Sequence, residues 1–205
     1  MSKLTSNINQ MKKTLLSLLI LIGWSNHSNA QMYYGSGFLC LDCYSNIEVG
    51  ANLPMFSGMD NSKPKVGFSI GVGSYKEINE RIYLKFGPSF SQYKVGFDKE
   101  GVDDLVIYTI AGNVGVHYLK QRDYQFFGGV NVEANIDKGW VSHNDTPLYD
   151  TEFLTYSLYA GGGLIFAEGI ELSAKYNFGL NSIVDNPDNN WKRNYFSLTL
   201  GYTFL

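Results

Sequence analysis

The sequence predicts an all-β fold, an eight-stranded antiparallel up-and-down transmembrane barrel, on three observations. Apolar residues alternate with small or polar ones in eight successive blocks from Ile47 to the C-terminus. The large apolar residues of those blocks fall mainly in one phase. The connections between blocks alternate between short and long.

The first thirty residues stand apart. Lys12 and Lys13 form a positive start, residues 14–24 are an apolar run, and Ser28-Asn29-Ala30 has the small-x-small form of a cleavage site. Residues 1–30 are therefore expected to be a cleaved signal peptide, with the mature chain starting near Gln31. An uncleaved anchor is the alternative, and Met11 is an alternative start. Losing Lys3, Lys12 and Lys13, with no acid among them, takes the formal charge from −3 to −6, which argues against nucleic acid as a partner. Residues 31–46 form a short segment ahead of the barrel. Beyond the leader no apolar run approaches the 18 or so residues of a membrane-spanning helix.

The blocks follow in order. The first carries Ile47, Val49, Ala51 and Leu53; the second Val66, Phe68, Ile70 and Val72; the third Ile82, Leu84, Phe86, Pro88 and Phe90. The fourth runs in steps of two from Val106 to Tyr118, the fifth from Phe126 to Ile136, the sixth from Leu154 to Phe166. The seventh runs from Ile170 to Leu180 and the eighth from Phe196 to Phe204. None of these positions is charged. The intervening phase holds mainly Gly, Ser and Asn, with Glu48, Lys85, His117, Glu133, Glu171 and Lys175. An eight-stranded barrel has room inside only for side chains, so the small phase belongs inward and the large phase faces lipid. Each block is also roughly the length of a tilted strand crossing the hydrocarbon core. A soluble lipocalin-like barrel, with the faces reversed around an apolar cavity, is the competing reading.

Short turns are expected at residues 76–81, 119–124 and 167–169, and long loops elsewhere, the longest over 137–152. The prolines (54, 64, 88, 147 and 187) fall in the long loops or the strand halves leading to them. Proline cannot donate to a strand ladder, so a bulge or the end of pairing is expected at Pro88. Two aromatic girdles are expected. Tyr118, Tyr124, Phe126, Phe166, Tyr202 and Phe204 mark the turn side. Phe90, Tyr93, Tyr108, Phe153, Tyr156, Phe178, Tyr195 and Phe196 mark the loop side.

The last segment, Tyr195 to Leu205, alternates apolar residues and places Phe204 next to the end. It resembles the final strand of bacterial outer-membrane barrels. Residues 47–205, with their Gly- and Tyr-rich strands and the leader ending before Gln31, resemble the Bacteroidetes-type outer-membrane β-barrel proteins of the PorT-like group. The resemblance implies a bacterial outer-membrane location, outer-membrane lipid as surroundings, and recognition of the C-terminal strand by the barrel-insertion machinery. It also implies a part in secretion or surface assembly.

Few residues suggest chemistry. Cys40 and Cys43 form a C-x-x-C, which can be a redox pair, half a zinc site or a short disulfide. An oxidising compartment and the lack of a second Cys pair favour the disulfide. The inward Glu48, Lys85, His117, Glu133, Glu171 and Lys175 are expected to form a polar network filling the lumen, since buried charges need partners. An ion path or acid–base site is the alternative. Ser142-His143-Asn144-Asp145 holds hydrolase-type residues in a loop without a nucleophile-elbow pattern. The loops are rich in Asp, but no spacing matches a cation-binding loop. No catalytic residue, metal or cofactor is assigned. The expected role is a non-enzymatic structural or interaction barrel with a protein or glycan partner at its outer loops; a small lipid-modifying enzyme and a narrow pore are the alternatives.

Overall fold

A computed structural model describes residues 40, 43–58, 62–97, 104–120, 123–140, 152–166, 169–184 and 190–204, with residues 97 and 137–140 described by their backbone. The leader, nearly all of 31–42, and the loop cluster Ser142 to Asp145 lie outside these residues.

The strands are β1 (Cys43–Ser57), β2 (Ser62–Lys65), β3 (Gly67–Asn79), β4 (Ile82–Phe97), β5 (Leu105–Lys120), β6 (Tyr124–Trp140), β7 (Leu154–Ile165), β8 (Ile170–Gly179) and β9 (Lys192–Phe204). Strands β3 to β8 each pair antiparallel with the next in the chain. Strand β1 pairs with both β3 and β9, and this closes the ring. Strand β2 is not a ninth stave. It extends β3 along β4, and the two are separated at Val66 by a one-residue register shift: Lys65 faces Lys94, whereas Ser69 faces Ser91. That is a β-bulge, and the barrel has eight staves.

Local chemistry sets the turns. Asn79 Oδ1 accepts from the backbone N–H groups of Arg81 (3.0 Å) and Ile82 (2.9 Å), closing a tight turn between β3 and β4. Between β7 and β8 the chain reverses through Gly169 at φ 83°, where a Cβ would lie 2.3 Å from the Thr203 carbonyl oxygen. Only glycine fits there.

The two faces separate as the alternation predicts. Val49, Phe68, Ile70, Val116, Val132, Leu158, Leu198 and Leu200 are all exposed on the outside, while Asn46, Asn52, Thr109, Asn131, Asn177 and Ser197 are buried inside. An apolar outer belt around a polar interior is the opposite of a soluble barrel with a greasy cavity, and it suits lipid. Aromatics flank the belt, with Tyr118, Tyr124, Phe126, Phe166 and Tyr202 exposed on the turn side and Phe153, Tyr156, Phe178 and Phe196 on the loop side.

Three expectations change. Tyr93 and Tyr195 are not girdle residues: they are 1% and 5% exposed and lie in the lumen, because both occupy the inward phase of their strands. Pro88 causes no bulge, and it interrupts pairing on one side only, toward β3. It faces Gly112 in an unbroken β4–β5 ladder, and the β3–β4 register is the same on both sides of it. Toward β3 the ladder lapses at Val72 and Gly73, opposite Pro88 and Gly87, and then resumes. Strand β1 starts at Cys43 rather than Ile47, since Cys43 to Asn46 already pair with β3.

Candidate functional site: the barrel lumen

Alternation aims every second side chain inward, so the lumen is lined by contributions from all eight staves. Its loop half is built around Glu133 on β6. Arg193 Nη2, from the start of β9, donates to Glu133 Oε2 at 2.5 Å and to Thr155 Oγ1 at 2.9 Å; Arg193 Nη1 donates to Asn135 Oδ1 at 3.2 Å. The hydroxyls of Tyr195 and Tyr93 donate to the two oxygens of Glu133 at 3.0 and 3.3 Å, and the Arg193 guanidinium lies 4.3 Å above the Tyr93 ring. Glu133 and Arg193 are 1% and 3% exposed.

An apolar layer covers this pair toward the loops. Phe56, Val95, Leu105, Ile107 and Ile183 pack with Tyr93 and Tyr195, and Trp191 rests against them. Ile183 comes from the connection between β8 and β9. Its N–H donates to the Trp191 carbonyl at 2.8 Å, and its carbonyl accepts from Glu152 N–H at 2.9 Å.

The turn half is arranged differently. Lys85 Nζ donates to Glu48 Oε2 at 2.6 Å and lies 5.0 Å above the Tyr75 ring. The Tyr75 hydroxyl donates to Glu171 Oε2 at 3.0 Å. His117 Nδ1 is 2.9 Å from Gln125 Oε1, and its ring stacks on Phe127. Lys175 Nζ lies 5.3 Å above the Tyr159 ring and reaches no carboxylate at ion-pair distance among the described residues. Glycines make room for these rings: a Cβ at Gly129 would lie 2.6 Å from Tyr159 Cζ, and one at Gly161 would lie 2.7 Å from Phe127.

Two cavities of about 20 Å³ lie along the axis, and Glu48, Lys175 and Thr199 border both. Each has room for about one water molecule. A larger one, about 210 Å³, opens at the turn-side mouth. One inward residue from each stave lines it: Tyr44, Tyr75, Tyr83, Leu119, Gln125, Ile165, Glu171 and Thr203. At the opposite rim, Asp104 bridges Lys65 (2.6 Å) and Lys94 (3.1 Å), and the hydrogen bond from Lys65 holds its carboxyl below the ordinary carboxylate range.

All six charged or titratable residues singled out by sequence thus line the lumen, but as two groups. Glu133 is alone among them in the loop half, while Glu48, Lys85, His117, Glu171 and Lys175 share the turn half. Cys40 and Cys43 are joined as a disulfide with Cα atoms 5.5 Å apart, at the start of β1. No serine hydroxyl is among the hydrogen-bond partners of His117, and no cluster of three His, Cys, Asp or Glu that could hold a metal occurs among the described residues. Sequence reasoning missed Arg193 and the inward aromatics Tyr75, Tyr93, Phe127, Tyr159 and Tyr195. Extending the inward phase of each block by two or three residues would have found Arg193, Tyr75, Tyr93 and Tyr195.

No family model and no curated protein matches the chain. Solved structures do. Neisserial surface protein A is similar at TM-score 0.52 and 17% identity, covering 79% of this chain and 96% of its own. Ail, the attachment invasion locus protein of Yersinia pestis, solved in complex with the heparin analogue sucrose octasulfate, is similar at TM-score 0.52 and 17% identity, covering 79% and 99%. The outer membrane enzyme PagL follows at TM-score 0.47 and 15% identity, covering 76% and 98%. At these identities the likeness establishes the closed eight-stranded barrel used by outer-membrane proteins.

Proposed function

We propose that this chain is a non-enzymatic barrel of a bacterial outer membrane that acts as a rigid mount, its loop end engaging a protein or glycan at the cell surface. The observation that carries this reading is the filled and capped lumen. Glu133 and Arg193 are held by five further side chains, and an apolar layer lies over them on the loop side. A pore needs a continuous wet path, and an enzyme acting on lipid needs a polar constellation open near one membrane surface. The apolar cap argues against the first; at the loop end, the enclosure of Glu133 and Arg193 argues against the second. The pattern resemblance to the PorT-like group adds a direction, a role in secretion or surface assembly. The complex of Ail with a heparin analogue makes heparin the first glycan to try.

The test has two arms. Mature protein extracted from outer membranes is run on gels with and without boiling, and reconstituted into planar bilayers. A boiling-dependent shift without channel openings is expected. Replacing residues 141–150 with a short Gly-Ser linker is then expected to keep the shift and lose binding to heparin or to the cell surface. Steady conductance by the unaltered protein would overturn the mount reading, and so would unchanged binding after loop replacement.

A further inference from the structure

The capped loop end leaves the turn-side mouth as the place where the lumen has space of ligand size. Roughly 150 Å³ of apolar cavity accommodates benzene, and this mouth offers about 210 Å³. Its walls are mainly apolar: Tyr44, Tyr75 and Tyr83 on the contiguous staves β1, β3 and β4, Leu119 on the next stave, β5, and Ile165 across from them. The rings of Tyr44 and Tyr83 are 6.4 Å apart and tilted by 58°, forming two walls of a cage.

At the base of the bowl sits Glu171, 5% exposed. One carboxylate oxygen accepts from the Tyr75 hydroxyl; the other has no hydrogen-bond partner among the described residues. A carboxylate this enclosed ordinarily gathers several donors. The nearby ammonium groups are directed elsewhere, Lys85 to Glu48 and Lys175 to the face of Tyr159. An aromatic cage with an under-satisfied carboxylate recognises an ammonium group carrying a small apolar body. The carboxylate supplies countercharge and a hydrogen-bond acceptor, and the ring faces attract the cation.

We infer that the turn-side mouth is a binding site for a small organic cation, an alkyl- or arylalkylammonium, with Glu171 as its anionic partner and Tyr44 and Tyr83 as its aromatic walls. The site lies at the end of the barrel opposite the loops and does not depend on what the loops bind.

Mature protein folded in maltoside micelles tests this by saturation-transfer NMR with two probes of matched shape, benzylammonium and neutral benzyl alcohol. The unaltered protein is expected to bind benzylammonium about tenfold more tightly, the scale of one charged hydrogen bond. Glu171→Gln is expected to erase that preference while keeping the boiling-dependent gel shift. Tyr44→Ala, at the rim, is expected to weaken benzylammonium several-fold, and it carries the test if Glu171→Gln fails to fold. Equal affinity for the two probes would overturn the inference, leaving an apolar hollow only. A preference that survives both substitutions, or no binding of either probe, would overturn it too.

Discussion

Glu133 and Glu171 are carboxylates of the same barrel, each 5% exposed or less, and they are treated very differently. Glu133 receives Arg193, Tyr93, Tyr195 and Ser157, and an apolar layer lies beyond it. Glu171 receives Tyr75, and Glu48 beside it receives Lys85; both border cavities. A charge enclosed among several fixed partners, with only about 10 Å³ of space beside it, makes a rigid stopper, because any rearrangement strands a charge in a nearly dry place. A charge beside a water-sized space can exchange partners at small cost. The loop half is therefore a seal, and the turn half is where the lumen can adapt.

The largest expected effect breaks the seal. Arg193→Leu leaves Glu133 buried without its cation, which costs about 3–5 kcal/mol. Urea unfolding of the micelle-bound barrel, followed by the gel shift, measures it; a loss under about 1 kcal/mol would mean that water reaches Glu133 after all. Next comes Gly129→Val in the turn half. The new side chain meets Tyr159 and, at 2.2 Å, the Val114 carbonyl oxygen, and overpacking of this kind costs about 1–3 kcal/mol. A neutral outcome in the same assay would show that the slack extends beyond the cavities.

Lys85→Met is expected to cost less than Arg193→Leu, about 1–2 kcal/mol, although it too removes the sole hydrogen-bonded cation of a glutamate, here a partly buried one. Glu48 borders both small cavities, and Lys175 borders them with it. Reversal of that ranking would end the distinction between the halves. The smallest effect is at the loop rim. The carboxyl of Asp104 is lowered by the bond from Lys65, so the pair's stabilisation is present at neutral pH and fades as pH falls through the lowered value. The contribution is that of a partly exposed ion pair. Midpoints of the unaltered protein and Asp104→Asn should differ slightly at pH 7 and converge in acid; a gap that widens in acid would contradict the assignment.

How much of this could be read from the chain depended on phase. Glu48, Lys85, His117, Glu133, Glu171 and Lys175 lie within strongly alternating blocks, so parity alone put them inside. Arg193 lies three residues before the first outward residue of its block, Phe196, where alternation fades into the loop and parity carries little signal. For Tyr93 and Tyr195, distance along the strand points to a girdle, whereas parity points to the lumen, and parity prevails. Ile183 belongs to a connection with no periodicity, and only three-dimensional closure brings it over the opening. Pairing between particular charges was not readable either, since it depends on which staves face each other across the barrel.

The ring is closed by thirteen facing residue pairs between β1 and β9, from Ser45 with Phe204 to Ser57 with Lys192. These are the most distant parts of the barrel in sequence, so the contact that finishes the structure carries the highest loop-closure entropy and cannot form until the last strand has been synthesised. Until then β1 and β8 each present an open edge that invites pairing with other chains. A chain stopped before β9 would leave both edges open for good. During its passage across the periplasm, the full-length chain would need to be held apart from its own copies until β1 and β9 meet.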